Sequence, residues 1–418
     1  MSKKILILGG ANLHCKLVKA AKEMGLYTIV TDYLENSPAK KMADESWMLN
    51  VMDVDAIVEK CKESGVEAVI STHLDPCQRP YYQICHALNV PCYIDTWEQV
   101  FALTDKDAFK AACVKNGVDI IPTYEAEDEN IEFPVLVKPV VCRGSRGQTV
   151  CHSREELPAA IAFARKESGN GKEIIEKYMG NKGDFTMTYI FVDGVPYMTK
   201  TSDRYLGAIE LGLEKVGIGT LSPSYYSDMY VKKVQDRFLG MLKDLGIKNG
   251  PVFMQGFVDG DTVRFYDPGY RFPGSEYDTM FQRIWDTDLL KMMVEFAVTG
   301  KMDNQYCKLV PDMYKLKNHY VITLWPTTKA GTVASIEGMD KVEKMPEVIG
   351  YTFRHEVGEN IPFSRDVNQR FCEFDIIGSD LKNLKDAIRN IQRDFHVKNT
   401  EGEEMLFGQI NVDEIPNY

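Results

Sequence analysis

Basic charge is in short supply. The 49 lysines and arginines are outnumbered by 61 aspartates and glutamates, for a net charge of −12. General binding to nucleic acid or to an anionic membrane needs basic surface and is excluded. A local basic pocket for a nucleotide is not. Long apolar runs are also missing, since none approaches the roughly 20 residues that a spanning helix requires. Met1-Ser2-Lys3-Lys4-Ile5-Leu6-Ile7-Leu8 starts like a signal peptide, but Gly9-Gly10 stops the apolar run after four residues. A buried strand is therefore expected there. The ten cysteines include no Cys-x-x-Cys pair, and Cys142 and Cys151 merely flank a loop. Reduced structural thiols in a cytoplasmic setting are expected. Neither a repeat, a low-complexity tract nor a long linker interrupts the 418 residues, a length that accommodates two to four structural units.

What is present is first a strand-helix alternation. Lys4–Leu8 reads as a strand and Gly9-Gly10-Ala11-Asn12 as a turn. Leu13, Leu17, Ala21 and Met24 then recur at helical spacing before Gly25. Tyr27–Thr31, a helix near Asp53–Ser64 and a strand Ala68–Ser71 follow. This order predicts a parallel sheet with helices on its faces. Thr96 with Gln99, and Thr104 with Asp107, fit capping boxes, so two helices are expected over residues 96–116. Beyond Pro122 strands are expected at Val135–Lys138, Glu173–Lys177, Thr186–Val192, Val252–Val258 and Val263–Tyr266, with helices at Arg154–Ser168 and Tyr230–Leu245. From His319 onward short strands and Gly/Pro turns dominate. One helix there carries Leu381, Leu384, Ile388 and Ile391 behind Ser379 as cap. The fold class is thus α/β and α+β multidomain. The expected units are residues 1–95 (α/β), 96–121 (helical bridge), 122–190, 191–318 and 319–418 (strand-rich).

Four segments carry chemistry. Gly9–His14 follows a strand and opens a helix, and Asp32 ends the next strand, the context of a dinucleotide site. The G-x-G-x-x-G spacing is absent, so a plain tight turn is expected rather than NAD binding; such a turn still suits a small anion at a helix start. Lys138-Pro139-Val140-Val141-Cys142-Arg143-Gly144-Ser145-Arg146-Gly147 is a strand lysine followed by a small, cationic loop suited to phosphate, although no Walker A Gly-Lys-Ser/Thr is present. Glu173–Gly180 with Asp184 can offer main-chain groups to an adenine edge and an acid to a ribose. Finally, Gln255 and Asp267 lie on strands joined by the Asp259–Asp261 turn. Antiparallel pairing sets these two oxygen ligands side by side for a hard cation, and Arg271 follows to stabilise charge on a transferring phosphoryl group.

In order and spacing these segments resemble the ATP-grasp superfamily, in particular the branch of carbamoyl-phosphate synthetase large subunits, biotin carboxylases and carboxylate–amine ligases. The resemblance runs over nearly the whole chain. It implies a pre-ATP-grasp N-terminal domain, a bridge, a small lid, a large subdomain with a metal floor, and the strand-rich C-terminal region. It further implies ATP and Mg2+ (or Mn2+) as cofactors, a small carboxylate and an amine as substrates, and a homodimer as a common assembly. By the same resemblance Lys106 meets the phosphates from the bridge and Lys138 holds the α- and β-phosphates. Arg143, Gly144, Ser145, Arg146 and Gly147 form the flap. Glu176, Lys177 and Met179 form the adenine hinge, Asp184 takes the ribose, Gln255 and Asp267 bind metal, and Arg271 holds the acyl phosphate. The family's second strand usually reads Glu-x-Asn-x-Arg; here it is Asp267-Pro268-Gly269-Tyr270-Arg271, which lacks the asparagine ligand. Substrate contacts are expected from Asn12, His14, His73 and Asp75 on loops after strands, and from Lys200 and Arg204 within Thr199–Ser227. The implied reaction joins a carboxylate, activated as an acyl phosphate, to an amine. A nucleotide-binding module that has lost turnover is the alternative.

Overall fold

A computed structural model describes residues 2–140, 147–180, 182–208, 211–213, 216–274, 277–364 and 366–418. The first strands are β1 (Lys4–Leu8), β2 (Tyr27–Thr31), β3 (Glu45–Trp47) and β4 (Ala68–Ile70), paired in parallel in the order β3-β2-β1-β4. Ile5, Leu6, Ile7 and Leu8 are all fully buried, as expected of a parallel strand covered on both faces. The covering helices are α1 (Asn12–Glu23), α2 (Pro38–Met42), α3 (Val54–Ser64) and α4 (Asp75–Leu88).

The bridge contains α5 (Trp97–Ala102) and α6 (Lys106–Lys115). Thr96 forms the expected capping box with Gln99, both reciprocal bonds being present. The second box does not form. Asp105 caps α6 by accepting from the Asp107 and Ala108 amides, because the Thr104 hydroxyl donates back to the Val100 carbonyl (2.6 Å) at the end of α5.

A small antiparallel sheet follows, built from β5 (Thr123–Tyr124), β6 (Val135–Pro139), β7 (Thr149–Cys151) and β8 (Glu173–Lys177) in the order β5-β8-β6-β7. It has its own small core with α7 (Leu157–Glu167). The expected helix from Arg154 opens as a 3-10 turn, Arg154–Glu156, before α7 begins.

The largest sheet draws on β9 (Asp184–Val192), β10 (Val195–Leu206), β11 (Gly217–Ser222), β12 (Gly250–Asp259), β13 (Thr262–Gly269) and β14 (Tyr320–Leu324). Beyond β15 (Thr327–Thr328) and β16 (Gly331–Glu337) it is completed by β17 (Val348–Phe353) and, after β18 (Asn360–Ile361), by β19 (Cys372–Gly378). The order is β13-β12-β9-β10-β11-β14-β19-β17. The C-terminal strands β20 (His396–Asn399) and β21 (Leu406–Phe407) pair with β16 and β15.

The expected helix Tyr230–Leu245 is two helices, α8 (Ser227–Lys233) and α9 (Gln235–Asp244), separated at Val234, whose φ is −121°. Next come α10 (Tyr277–Trp285), α11 (Leu289–Thr299), α12 (Met339–Val342) and α13 (Leu381–Asp394). Asp380, not Ser379, caps α13 by accepting from the Asn383 amide. The apolar stripe of α13 lies on the core side as expected, with Leu384, Ile388 and Ile391 buried.

One hydrophobic core runs from the N-terminal sheet into the helices and strands of the large sheet, so the two are packed as a unit. Tyr93 and Tyr270 lock that junction. The Tyr270 hydroxyl donates to the Tyr93 carbonyl (2.9 Å), while the Tyr93 hydroxyl, which donates to Gln78 Oε1 (2.7 Å), lies 3.2 Å from the Tyr270 carbonyl. Nearby, the Gly9-Gly10 turn is closed from within. The Gly10 amide donates to one Asp32 oxygen (2.8 Å) and the Leu34 amide to the other (2.8 Å). A Cβ at position 10 would stand 2.4 Å from Ser37 Cβ. This is the tight turn expected from the sequence, with Asp32 spent on backbone. Gly10→Ala is expected to cost about 1–3 kcal/mol by overpacking, seen as a lowered urea midpoint at unchanged m.

Candidate functional site

The expected site residues gather where the small sheet faces β12 and β13 of the large one. Gln255 and Asp267 are direct register partners across the β12–β13 hairpin, at a bulge that follows Gln255. The antiparallel pairing anticipated from the sequence therefore holds, and both side chains share a face. Lys106, the first residue of α6, brings its Nζ to 3.9 Å from Asp267. Burial raises the Asp267 pKa, against the opposing pull of Lys106, Lys138 and Arg271. Burial also lowers the Lys106 pKa, with Asp267 opposing and Lys138 and Lys110 reinforcing. A carboxylate and several cations are thus held together in a partly covered cleft, with the Asp267 side chain 36% exposed and the Lys106 side chain 22%.

Lys138 arrives on β6 with its ammonium 2.5 Å from Glu176 and 5.6 Å from the centre of the Tyr266 ring. Glu176 on β8 accepts Lys110 as well, at 2.6 Å. Burial alone would raise the Glu176 pKa, but Lys138 and Lys110 together hold it below its ordinary value. Its side chain therefore faces the two lysines, leaving main chain as what β8 can offer a ligand. Lys177 points away, to Glu132 (3.4 Å), and Met179 lies just past the end of β8. Asp184 is buried at the start of β9, where it accepts from the Tyr266 hydroxyl (3.1 Å) and pairs with Arg204 (3.3 Å). Burial raises its pKa despite Arg204. Arg143, Gly144, Ser145 and Arg146 lie outside the described residues. Gly147 is described: its φ is +73°, and an added Cβ would sit 2.7 Å from Pro139 and Glu167 atoms. Gly147 itself is packed against β6 and α7.

Arg271 is held from the N-terminal domain. Asp75, at the start of α4, receives two guanidinium hydrogen bonds, from Nε and from Nη2, the latter at 2.7 Å. Nη1 donates to the Phe272 carbonyl (2.8 Å), and the guanidinium lies 5.4 Å from the Phe253 ring centre. A Cβ at position 269 would lie 3.2–3.4 Å from Arg271 Cγ, Nε and Cζ. The arginine thus leans over the very position where relatives of the resembled type carry asparagine.

Of the expected substrate contacts, Asn12 is exposed at the start of α1. His14 and His73 are both buried, with ring centres 6.2 Å apart. Burial lowers the His14 pKa to about 4 and the His73 pKa well below its ordinary value, so both are neutral at physiological pH. Lys200 and Arg204 project from β10 onto the polar face of the large sheet. Sequence reading missed Lys110, although it stands one helical turn after Lys106 and so shares its face. It also missed Tyr266, which lies between Asp184 and Lys138, and Arg370, which stacks 3.9 Å over Trp325 just past the end of β14.

Gln255 and Asp267 supply one amide oxygen and one carboxylate, and position 269 supplies nothing. Among the described residues no group of three His, Cys, Asp or Glu could form a metal cage. This donor set fits a Mg2+ ion that keeps waters and is shared with substrate phosphates. It does not fit a second ion held by protein alone. Among the described residues no helix is long and apolar enough to cross a membrane, and the nine described cysteines are all free thiols.

Two family models match the chain: the N-terminal domain of PylC-like proteins over residues 5–76, and the ATP-binding domain of the carbamoyl-phosphate synthase L chain over residues 105–188. The 2-oxoglutarate carboxylase small subunit of Hydrogenobacter thermophilus is 26% identical over 204 residues, covering 43% of each chain. The matched stretches span about half the length of the curated relatives. Among solved structures, L-amino acid ligase from Bacillus licheniformis superposes with a TM-score of 0.76 at 16% identity, covering 96% of this chain and 99% of the other. Phosphoribosylglycinamide synthetase from Anaerococcus prevotii gives 0.71 at 18% identity, with 96% and 100% covered.

Proposed function

We propose that the chain is an ATP-grasp protein and works as an ATP-dependent ligase that activates a small carboxylate as an acyl phosphate and joins it to an amine. The observation that carries this reading is the convergence of Lys106, Lys138 and Arg271 on the Gln255–Asp267 pair. Three cations beside two hard oxygen ligands in a partly covered cleft suit a triphosphate whose charge must be neutralised during transfer.

In this reading a substrate carboxylate oxygen attacks the γ-phosphorus and ADP leaves. An amine then attacks the acyl carbon and inorganic phosphate leaves, the amine's surplus proton passing to solvent. Mg2+ (or Mn2+), held by Asp267 and Gln255, would supply Lewis-acid neutralisation of the phosphates. Lys106 and Lys138 bind and orient the phosphate oxygens from two different elements, which fixes the triphosphate direction across the floor. When Lys138 turns from Glu176 toward a phosphate, Lys110 remains on that carboxylate at 2.6 Å, so no charge is left unpaired. Arg271, oriented by Asp75, presents a planar fork to the transferring group. The small sheet, β8 included, covers the nucleotide and limits water at the acyl phosphate.

Calorimetry with a non-hydrolysable ATP analogue and Mg2+ is expected to give saturable one-site binding. Lys138→Met should weaken it by about tenfold or more, through loss of a charge-assisted phosphate contact. Addition of pooled carboxylates and amines with ATP is expected to release ADP. Absence of nucleotide binding to the wild-type chain would overturn the proposal.

A further inference from the structure

The buried acids on the large sheet are matched by hydrogen bonds or ion pairs, with one exception. Asp184 accepts from Tyr266 at Oδ1, and its Oδ2, which makes no hydrogen bond among the described residues, is ion-paired with Arg204 at 3.3 Å. Asp203 accepts from the Ser224 hydroxyl (2.5 Å) and the Tyr225 amide (2.7 Å). Glu373 accepts from the Trp325 indole (2.7 Å) and lies 3.5 Å from Arg354. Asp375 differs. It is only 3% exposed, Thr323 donates to its Oδ1 (2.8 Å), and its buried Oδ2 has no hydrogen-bond partner among the described residues. Its counterpart is Lys200, 6% exposed. The Lys200 ammonium lies 5.8 Å from the Tyr277 ring centre, and no hydrogen bond or ion pair to it is found among the described residues.

These two charges share one surface. Register pairs Arg204 with Thr220, Thr220 with Thr323, and Thr323 with Asp375. Alternation along β10 puts Lys200, Ser202 and Arg204 on one side of the sheet. The opposite side, with Leu221, Ile322, Phe374 and Ile376, is apolar core. Over the polar side lies α10, which supplies Tyr277 and is itself tied to α1 by Lys16, whose ammonium donates to the Thr279 hydroxyl (2.8 Å) and lies 3.4 Å from Asp278. Lys200 and Asp375 act on each other through the field, yet they do not close to the 4 Å of an ion pair. Burial, opposed by Asp375 and Glu373, draws the lysine pKa down to about 8. Burial, reinforced by Glu373, pushes the aspartate up to about 7 despite Thr323 and the lysines Lys16 and Lys200. Opposite buried charges left apart, each incompletely satisfied, are uncommon in a settled core and characteristic of a place built for a ligand.

We propose that Lys200 and Asp375 are the two poles of a subsite for a zwitterionic amino acid, Lys200 taking its carboxylate and Asp375 its ammonium group. The polarity follows from the sheet order β13-β12-β9-β10-β11-β14-β19. Lys200 stands on β10, toward the phosphate floor on β12 and β13, and Asp375 stands on β19, away from it. The carboxylate therefore lies at the end where it can meet the γ-phosphate, and the ammonium is kept out of the reaction. This rests on the ligase reading and names the class of acid it activates.

The test titrates each proteinogenic amino acid, its decarboxylated amine and its deaminated acid into the full chain holding Mg2+ and a non-hydrolysable ATP analogue. At least one amino acid is expected to bind about tenfold or more tighter than both its truncated analogues. Asp375→Asn should weaken that amino acid by about tenfold while changing the deaminated acid by less than about twofold. Lys200→Met should weaken the amino acid similarly while leaving the decarboxylated amine unchanged. Failure of the nucleotide analogue to bind would defeat the ligase reading itself. Nucleotide binding without amino-acid binding, or both variants retaining wild-type affinity, would overturn this inference alone. Melting curves identify a variant that does not fold, and the other variant then decides the question.

Discussion

Arg271→Lys is expected to lower amino-acid-dependent ADP release by about two to three orders of magnitude, the loss usual when a single pre-organised donor to the developing charge is removed. The affinity for MgATP analogue should stay within about twofold, because Lys106 and Lys138 remain. Lysine keeps the charge and loses the fork. It cannot make the two bonds to Asp75, donate to the Phe272 carbonyl and lie flat toward Phe253 at once, as Arg271 does. Asp75→Asn tests the same arrangement from the other side. It is expected to reduce turnover less than Arg271→Lys, since the arginine persists but loses its anchor on α4. Gly269→Asn gives a third reading. Position 269 has ordinary backbone, but a side chain there must displace Arg271, whose atoms stand 3.2–3.4 Å from the added Cβ. Restoring the asparagine of the resembled motif should therefore lower turnover in this chain. A Gly269→Asn variant faster than wild type, or an Arg271→Lys variant with more than half the wild-type rate, would show that the arginine does not serve the transfer step.

The parts of this arrangement visible in the sequence are those encoded locally. Lys4–Leu8, the Gly9-Gly10 turn and α1 follow one another within a single stretch, so period and punctuation suffice to place them. Gln255 and Asp267 are joined by one tight turn, and hairpin register alone makes them neighbours. The Arg271–Asp75 pair spans 196 residues and the Lys110–Glu176 pair 66. Each partner is an ordinary charged residue in its own surroundings, and only the docking of the N-terminal domain on the large sheet, or of α6 on β8, gives it meaning. Strand β10 escaped for a different reason. From Thr199 to Arg204 every residue is polar, so the alternation that marks a half-buried strand is absent. Its inward side faces the site and its other side meets Ser224 and Ser227. Two polar faces are what a strand looks like when one lines a pocket and the other is knitted to a turn. The same blankness hid Lys200 as a strand residue and gave no hint of Asp375. For capping, a one-residue displacement sufficed: Asp105 and Asp380 each outcompete the neighbouring hydroxyl, in one case because Thr104 already serves the preceding helix.

The largest stability effect is expected at Glu176. Its carboxylate is 1% exposed and bridges Lys110 and Lys138, whose side chains are 11% and 5% exposed. Glu176→Gln keeps the shape and removes the negative charge, leaving two buried ammonium groups facing each other. Breaking a buried ion pair from one side costs about 3–5 kcal/mol. Here two cations lose one shared partner, so the upper part of that range is expected in chemical denaturation. Lys138→Met should cost less, since Glu176 retains Lys110 at 2.6 Å. The double variant should be more stable than the sum of the two single changes predicts, because neutralising Lys138 relieves the repulsion that Glu176→Gln exposes. The pH dependence has a fixed sign. The folded carboxyl is held below its ordinary value of 4.5 by Lys138 and Lys110, against the effect of burial. Its contribution is therefore fully present above the unfolded value and is lost as pH falls through the folded one. Wild type should consequently lose stability in acid more steeply than Glu176→Gln, the two curves converging below the ordinary carboxylate range. If the variant matched wild type in stability at neutral pH, or if both fell in parallel with acid, Glu176 would not be the charge that fixes the two lysines beneath the nucleotide site.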